Sequence, residues 1–293
     1  MRKLFLATLL FIFSINCFAI PKTYYSLLES IGPEKRVLSA LGVMPGTATN
    51  VKFGANFDIN ADGNEHTLWV CGDGAYHGFT LTTAKTLTVV SDDATDTIAG
   101  IGAQKVKIFG LDLNLLEIDE ELEMNGTTPV STTKQYMRIN RMYVSQGGSS
   151  GNAQGDIYLK DGTDPMACVI SSYNQTLQSI VTIPADKYGV IPGFTTTVYK
   201  KSGAAVAIKE VEFIYKAREP GGVFRTQIIY GQRSDFSQVL GHFTLPFVFP
   251  PKTDLVVNTK TNTADSAAAI YYEIWLFDRE WIENAKKDMG ITP

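Results

Sequence analysis

Asp96-Thr-Ile-Ala-Gly-Ile-Gly-Ala-Gln-Lys-Val-Lys-Ile-Phe-Gly-Leu-Asp112 decides the fold class of this chain. From Lys105 to Phe109 lysine alternates with Val106 and Ile108, and a period of two puts the apolar pair on one face of a strand and the lysines on the other. The next run, Leu115–Met124, alternates acids with Ile118 and Leu122 and ends at Asn125-Gly126, a pair that tolerates positive φ and marks a tight turn. Tyr136–Val144 then alternates Met137 and Ile139 against Arg138 and Asn140. Strand, turn and strand again, with no helical period in between, read as β-structure.

The same style extends in both directions. Upstream, Val51–Phe57, Thr67–Cys71 and Thr86–Ser91 are strand candidates, the last with Leu87 and Val89 inward. Downstream come Asp156–Lys160, Ser179–Ile183, Phe194–Lys200, Ala207–Ala217, Phe224–Tyr230, His242–Phe249, Leu255–Thr259 and Ala268–Phe277. Glu219-Pro-Gly-Gly222 predicts a hairpin between Ala207–Ala217 and Phe224–Tyr230, and His242–Phe249 places Phe243, Leu245, Phe247 and Phe249 on one face. Helical patterns are confined to the ends. Tyr24, Leu27, Leu28 and Ile31 fall at helical spacing before Gly32-Pro33, and Asp278–Met289 reads as a short amphipathic helix. The expectation is an all-β chain of antiparallel β-sandwich or jelly-roll-like type, with short N- and C-terminal helices and one or two sandwich domains. Its divisions are an apolar leader over 1–19, a helical arm over 20–50, a β-rich domain over 51–165, a second β-rich half or domain over 166–278, and a C-terminal helix over 279–293.

Bulk properties narrow the function. The chain has 293 residues, 44% of them hydrophobic and 19% charged, so it can bury a core and does not resemble a disordered segment. The formal net charge is −4 and no Lys/Arg run exceeds two residues, which argues against a nucleic-acid footprint. Arg2 and Lys3, the apolar run Leu4 to Ile15 and Cys17-Phe-Ala19 have a signal-peptide layout, with a cut expected after Ala19. An apolar anchor and a start codon called too far upstream are the alternatives. Of the three cysteines, none has zinc spacing. Cys71 and Cys168 are read first as buried small apolar side chains, and as a disulfide if the protein meets an oxidising compartment.

Each pattern that could carry chemistry has a plainer reading. Glu65, His66 and His77 lie about one strand apart across Gly72-Asp-Gly74, but a metal site needs a third ligand at defined spacing, so these and His242 are expected at the surface or in turns. Asp92, Asp93 and Asp96 could offer oxygens to calcium, yet the spacing of a calcium loop is absent and a capped turn fits better. On the strand through Glu117, alternation puts Glu117, Glu121 and Glu123 on one face and Glu120 on the other with Ile118 and Leu122. That describes a solvated face rather than the facing carboxylates of a glycosidase. Gly100-Ile-Gly102-Ala103 lacks the helix start and Lys of a phosphate cradle, and Gly148-Ser-Ser-Gly151 lacks a nucleophile elbow. The aromatics Phe213, Tyr215, Phe224, Tyr230, Phe243, Phe247, Phe249, Tyr271 and Trp275 fit a core, with a carbohydrate platform as the second reading. No catalytic residue, cofactor or metal ligand is therefore assigned.

Set in order, Thr67-Leu-Trp-Val70, Leu87-Thr-Val-Val-Ser-Asp-Asp-Ala-Thr-Asp96, Gly100-Ile-Gly-Ala103, Ile108-Phe-Gly-Leu-Asp112, Leu122-Glu-Met-Asn-Gly-Thr127, Tyr136-Met-Arg-Ile-Asn-Arg141, Gly155-Asp-Ile157, Pro220-Gly-Gly-Val-Phe-Arg225 and Pro250-Pro-Lys-Thr-Asp254 span most of the chain. Together they resemble a family of virion structural proteins of marine tailed bacteriophages. The resemblance implies a non-enzymatic, β-rich virion component present in many copies, of head-decoration or fibre-like type. It further implies a homo-oligomer that contacts other virion proteins of capsid or tail, with a host surface as a further contact, while the charge pattern speaks against a nucleic-acid partner. The implied location is the virion. If the leader is genuine, the location becomes periplasmic or extracellular, and the chain is then an exported β-sandwich module for a glycan or another surface ligand.

Overall fold

The computed structural model describes residues 38–289, except residues 73, 204–206 and 237 and the side chains of residues 242–245. The expected leader and residues 20–37 of the expected helical arm lie outside the described residues; of its remainder, residues 38–40 are helical and a strand begins at Thr47, so the arm is not helical to residue 50. Two compact units are present. In the described part of the first, residues 38–40 are helical, the Val43 N–H donates to the Leu38 carbonyl, and the Thr47 hydroxyl donates to the Met44 carbonyl at 3.0 Å.

The second unit, Thr49–Pro293, is all-β with antiparallel pairing. Its first half holds β1 (Thr47–Ile59, whose first two residues belong to the smaller unit), β2 (His66–Thr67), β3 (Lys85–Ser91), β4 (Ala103–Leu111), β5 (Glu117–Glu123), β6 (Val130–Tyr136), β7 (Arg138–Gly147), β8 (Ile157–Asp161) and β9 (Asp164–Val169). Then follow β10 (Val181–Thr182), β11 (Lys187–Lys200), β12 (Glu210–Arg218), β13 (Arg225–Arg233), β14 (Val239–Phe249), β15 (Asp254–Lys260), β16 (Ser266–Asp278) and the helix α1 (Arg279–Asp288). They form four sheets, ordered β1-β16-β11-β14, β10-β15-β12-β13 with β2 also on β15, β6-β3-β8-β9, and β5-β4-β7.

This corrects the expected jelly-roll-like sandwich. The four small sheets stand as blades, in a propeller-like arrangement, and they combine consecutive hairpins with strands distant in sequence, as where β16 lies beside β1 and β15 beside β2. Period-two alternation reports that a strand has one buried face, and it is the same whichever sheet supplies the partner. Two hydrophobic cores lie between pairs of sheets. The sheets β6-β3-β8-β9 and β5-β4-β7 enclose Leu87, Val89, Val106, Ile108, Tyr136 and Ile157. The sheets of β11 and β12 enclose Phe213, Phe194, Ile191, Ile270, Tyr272 and Val257. The sequence changes core near residue 180, with Ile180 in the first and Val181 in the second, and the last residue of β1, Ile59, joins the second. On β15, Leu255 and Val257 face one core and Val256 the other, which is why three consecutive apolar residues are buried there.

Local differences have local causes. The expected strand Tyr136–Val144 is the end of β6 and the start of β7, which belong to different sheets. The break is at Met137, whose N–H donates to the Leu111 carbonyl at 2.8 Å. Asn125-Gly126 turns with φ +60° at Gly126, but it passes the chain to another sheet instead of closing a hairpin with β5. β11 starts earlier than expected and runs through Pro192 because its register with β14 shifts between Ile191 and Gly193, a bulge that removes the need for a proline N–H. Thr67–Cys71 and Ser179–Ile183 shrink to two-residue strands. The hairpin of β12 with β13 forms as read, with Ala217 opposite Arg225.

Candidate functional site

The opening stretch folds around one carboxylate. Asp96 is fully buried, and its oxygens accept from the Ala103 N–H at 2.6 Å, the Gln154 N–H at 2.9 Å, the Gly155 N–H at 3.0 Å and the Ser91 hydroxyl at 2.6 Å. A Cβ on Gly102 would strike this carboxylate, and one on Gly155 would strike that of Asp92. The loop after β7 docks here through its backbone, Gly148 N–H to the Gly102 carbonyl at 2.7 Å and Ser150 N–H to the Ile101 carbonyl at 3.0 Å. Asp92 accepts from the Asp156 N–H, and Asp93 from the Thr95 N–H and hydroxyl. The three aspartates thus spend their oxygens on the chain's own donors, which is loop organisation rather than a cation cradle.

The remaining candidates separate in the same way. His66, expected at the surface or in a turn, is instead buried on β2, where it meets Asp62 at 2.8 Å; the His66 ring followed by the Asn64 N–H holds the Asp62 carboxyl down at about 2. His77 lies 3.2 Å from Asp161 and 3.6 Å from Asp164, so each histidine has its own carboxylate and the two do not converge. Among the described residues no group of three or more His, Cys, Asp or Glu is placed to hold a metal. The side chain of His242 lies outside the described residues. Glu120 points inward and accepts from the Thr133 N–H and hydroxyl, while Glu121 pairs with Lys105 across the outer face. Phe213 and Tyr230 stack at 5.2 Å and 10° against the second core. Cys71 and Cys168 are joined in a disulfide with Cα atoms 5.5 Å apart, which corrects the reading of two free buried thiols. The two sulfurs are brought together from the loop after β2 and from β9, a juxtaposition that no sequence spacing reports.

A buried ionic knot was not foreseen. Asp254, at the start of β15, accepts from Arg138 Nε at 3.1 Å, from Arg218 Nε at 3.0 Å and from the Thr182 hydroxyl at 2.6 Å. Arg138 also donates to the Gly78 carbonyl, and both guanidiniums lie over the Phe79 ring, at 5.8 and 5.2 Å. Arg138 is on β7 of one pair of sheets, and Arg218 and Asp254 are on β12 and β15 of the other. The signal in the sequence was an Arg or Asp at a strand end, which does not name its partner.

The surface feature with the strongest physical bias is a pair of free strand edges. Among the described residues β13 pairs only with β12 and β14 only with β11, and the two strands follow one another in the chain. On β13, Ile228 and Tyr230 pack toward the core, so Ile229 points out, 58% exposed. On β14, Gly241 lies against the Phe194 ring and Phe249 enters the core. Leu240 and Val248 therefore project outward, 64% and 61% exposed, with Phe236 exposed in the connection. Unpaired strand backbone beside exposed Ile, Leu, Val and Phe is the arrangement that monomeric proteins avoid. The flanking Arg225 and Arg233 are neutralised within the chain, by Glu219 at 2.8 Å and Asp235 at 2.9 Å.

No family model matches this chain, and no curated protein matches it. Among solved structures, that of infectious bursal disease virus Gt strain aligns over 87% of this chain and 88% of that chain, with 9% identity and a TM-score of 0.10. A likeness of that size carries no argument about fold or function.

Proposed function

We propose that this chain is a non-enzymatic structural protein of a bacteriophage virion, of capsid-decoration or head-fibre type, which assembles with copies of itself and with other virion proteins through β-strand edges. The observation that carries the assembly part is the apolar double edge of β13 and β14, with Ile229, Leu240 and Val248 turned to solvent. A second copy offers the same edge under a two-fold axis, so the unpaired N–H groups of one edge meet the C=O groups of the other and the apolar side chains pack together. The virion part rests on the ordered motifs from Thr67 to Asp254. Light scattering on the purified protein should give a dimer or larger oligomer. The double variant Ile229→Lys, Leu240→Lys should be monomeric at the same concentration and equally folded by circular dichroism. Purified particles of the parent phage should contain the chain in many copies. A wild-type monomer would remove the edge mechanism, and absence from particles would remove the virion.

The Cys71–Cys168 disulfide favours a second reading, a binding module exported to an oxidising compartment, since such bonds persist outside the reducing cytosol. Virion surfaces also tolerate them. Recovery only from periplasm or medium, with an N-terminus after Ala19, would select this reading.

A further inference from the structure

The outer face of the β5-β4-β7 sheet holds an aromatic shelf that neither core uses. Register places Phe109 opposite Arg141 and Lys107 opposite Tyr143. Phe109 and Tyr143 are half-buried and stack at 5.8 Å and 25°. The Arg141 guanidinium lies 5.2 Å over Tyr143, and Lys107, paired with Asp119, lies 5.6 Å over Phe109. The shelf opens into a groove of 460 Å³ whose other wall is β1.

Lys52 enters this groove from β1 and is only 6% exposed. Its ammonium donates to the Asn140 carbonyl. That carbonyl is available because β7 bulges there: Phe109 pairs with Arg141 and Gly110 with Ile139, leaving Asn140 without a partner on β4. Among the described residues Lys52 forms no ion pair with a carboxylate. Burial, and then the nearby charge of Arg141, brings its pKa down to about 7. A buried cation without a counterion is costly, and cations of this kind mark places where an anion arrives. Asp119 and Glu117 on the same groove supply acceptors. A pyranose has an apolar C–H face that lies flat on an aromatic pair and a rim of hydroxyls that seeks acceptors.

We propose that this groove binds an acidic saccharide, its ring on Phe109 and Tyr143, its carboxylate between Lys52 and Arg141, and its hydroxyls on Asp119 and Glu117. The site is independent of the assembly edges, so it can stand or fall apart from them.

The test is titration calorimetry on the full chain with oligogalacturonate and sialyllactose as acidic probes and lactose as the neutral control. At least one acidic probe should bind, and lactose should bind more weakly by about tenfold or more, the value of one charge-assisted contact. Tyr143→Ala and Arg141→Gln, the latter also losing the bond to Gln175 Oε1 at 2.9 Å, should each weaken the acidic probe by about tenfold while keeping the wild-type far-ultraviolet dichroism at the assay temperature. Affinity should also fall as the pH rises from about 6 to 9, as the Lys52 proton is lost. Equal binding of lactose, wild-type binding by both variants, or no binding of either acidic probe would each overturn the proposal.

Discussion

Asp96 shows how one side chain sets a local fold. It takes three backbone N–H groups and a hydroxyl out of reach of water, and Gly102 and Gly155 leave room for the two loops to close around it and Asp92. Asp96→Ala would strand those donors, at about 1–3 kcal/mol for each one left unsatisfied. A loss on the order of 3–5 kcal/mol is expected, read as a shift of the urea midpoint. Asp96→Asn keeps the shape but turns an amide N–H₂ toward a donor, so it should cost more than half as much. Lys52 gives a prediction with a sign. Its pKa is about 7 in the folded chain against an ordinary value of 10.5. Between those values the unfolded chain binds the extra proton, so stability contributed at this position rises with pH; below about 7 both states are protonated and the whole penalty applies. Lys52→Met should therefore be more stable than wild type by about a few kcal/mol near pH 6, and the gap should close toward pH 9.5. Arg141, Glu117 and Asp119 share the groove in both proteins, so the difference between the two denaturation series isolates Lys52. A gap that stays flat with pH would show that Lys52 is ordinarily charged and solvated.

At the scale of elements, the residues told more about faces than about partners. Leu87, Val89, Val106 and Ile108 were read inward and are buried, and the β12–β13 hairpin followed from its turn residues. These are local properties, set by alternation and by backbone preference at Gly and Pro. β9 was not read, because Asp164-Pro-Met-Ala-Cys-Val169 lacks alternation and is buried over its last four residues. The sheet orders were not legible either, since β16 lies beside β1 and β11, and β15 beside β2, β10 and β12, across long stretches of chain. The Lys52 groove could not be seen in the sequence, because it needs β1 to pass beside β7. The disulfide belongs to this class of long-range facts. It closes a loop with a separation of 97 residues, so in the chain-entropy account it is worth about 4–5 kcal/mol against the unfolded state. Cys71→Ser, Cys168→Ser, or wild type melted in reductant, should lose on the order of 2–5 kcal/mol. Unchanged melting in reductant, with both thiols then alkylated in the folded protein, would show that β9 and the loop after β2 are held by packing alone.

The second unit holds two cores, and the chain passes between them at Leu68-Trp69, at Ile180-Val181 and along Leu255-Val256-Val257 of β15; the Asp254 knot lies beside the last of these. Val256 faces one core while its neighbours Leu255 and Val257 face the other, so β15 is an apolar hinge between them. One residue before that hinge, Asp254 binds Arg138 from the first pair of sheets and Arg218 from the second. Two guanidiniums and one carboxylate leave a positive excess, offset by the Gly78 and Phe79 carbonyls and by the Phe79 ring. Such a cluster adds little net stability over an apolar substitute, but removing one member strands buried charge. Asp254→Ala should therefore destabilise by about 3–5 kcal/mol, and the loss should fall on the coupling between the cores rather than on either core. Wild type should unfold in one transition with tryptophan fluorescence and far-ultraviolet dichroism coincident. In the variant the two signals should separate when fluorescence is read in a Trp275→Phe, Trp281→Phe background, where Trp69 of the first core is the remaining tryptophan and the second core unfolds on its own. Restoring the charge balance by the triple change Asp254→Leu, Arg138→Met, Arg218→Met should recover much of the lost stability and bring the two signals together again. If the single variant still unfolds in one coincident transition, apolar packing couples the cores without the knot, which is then only a local ion cluster.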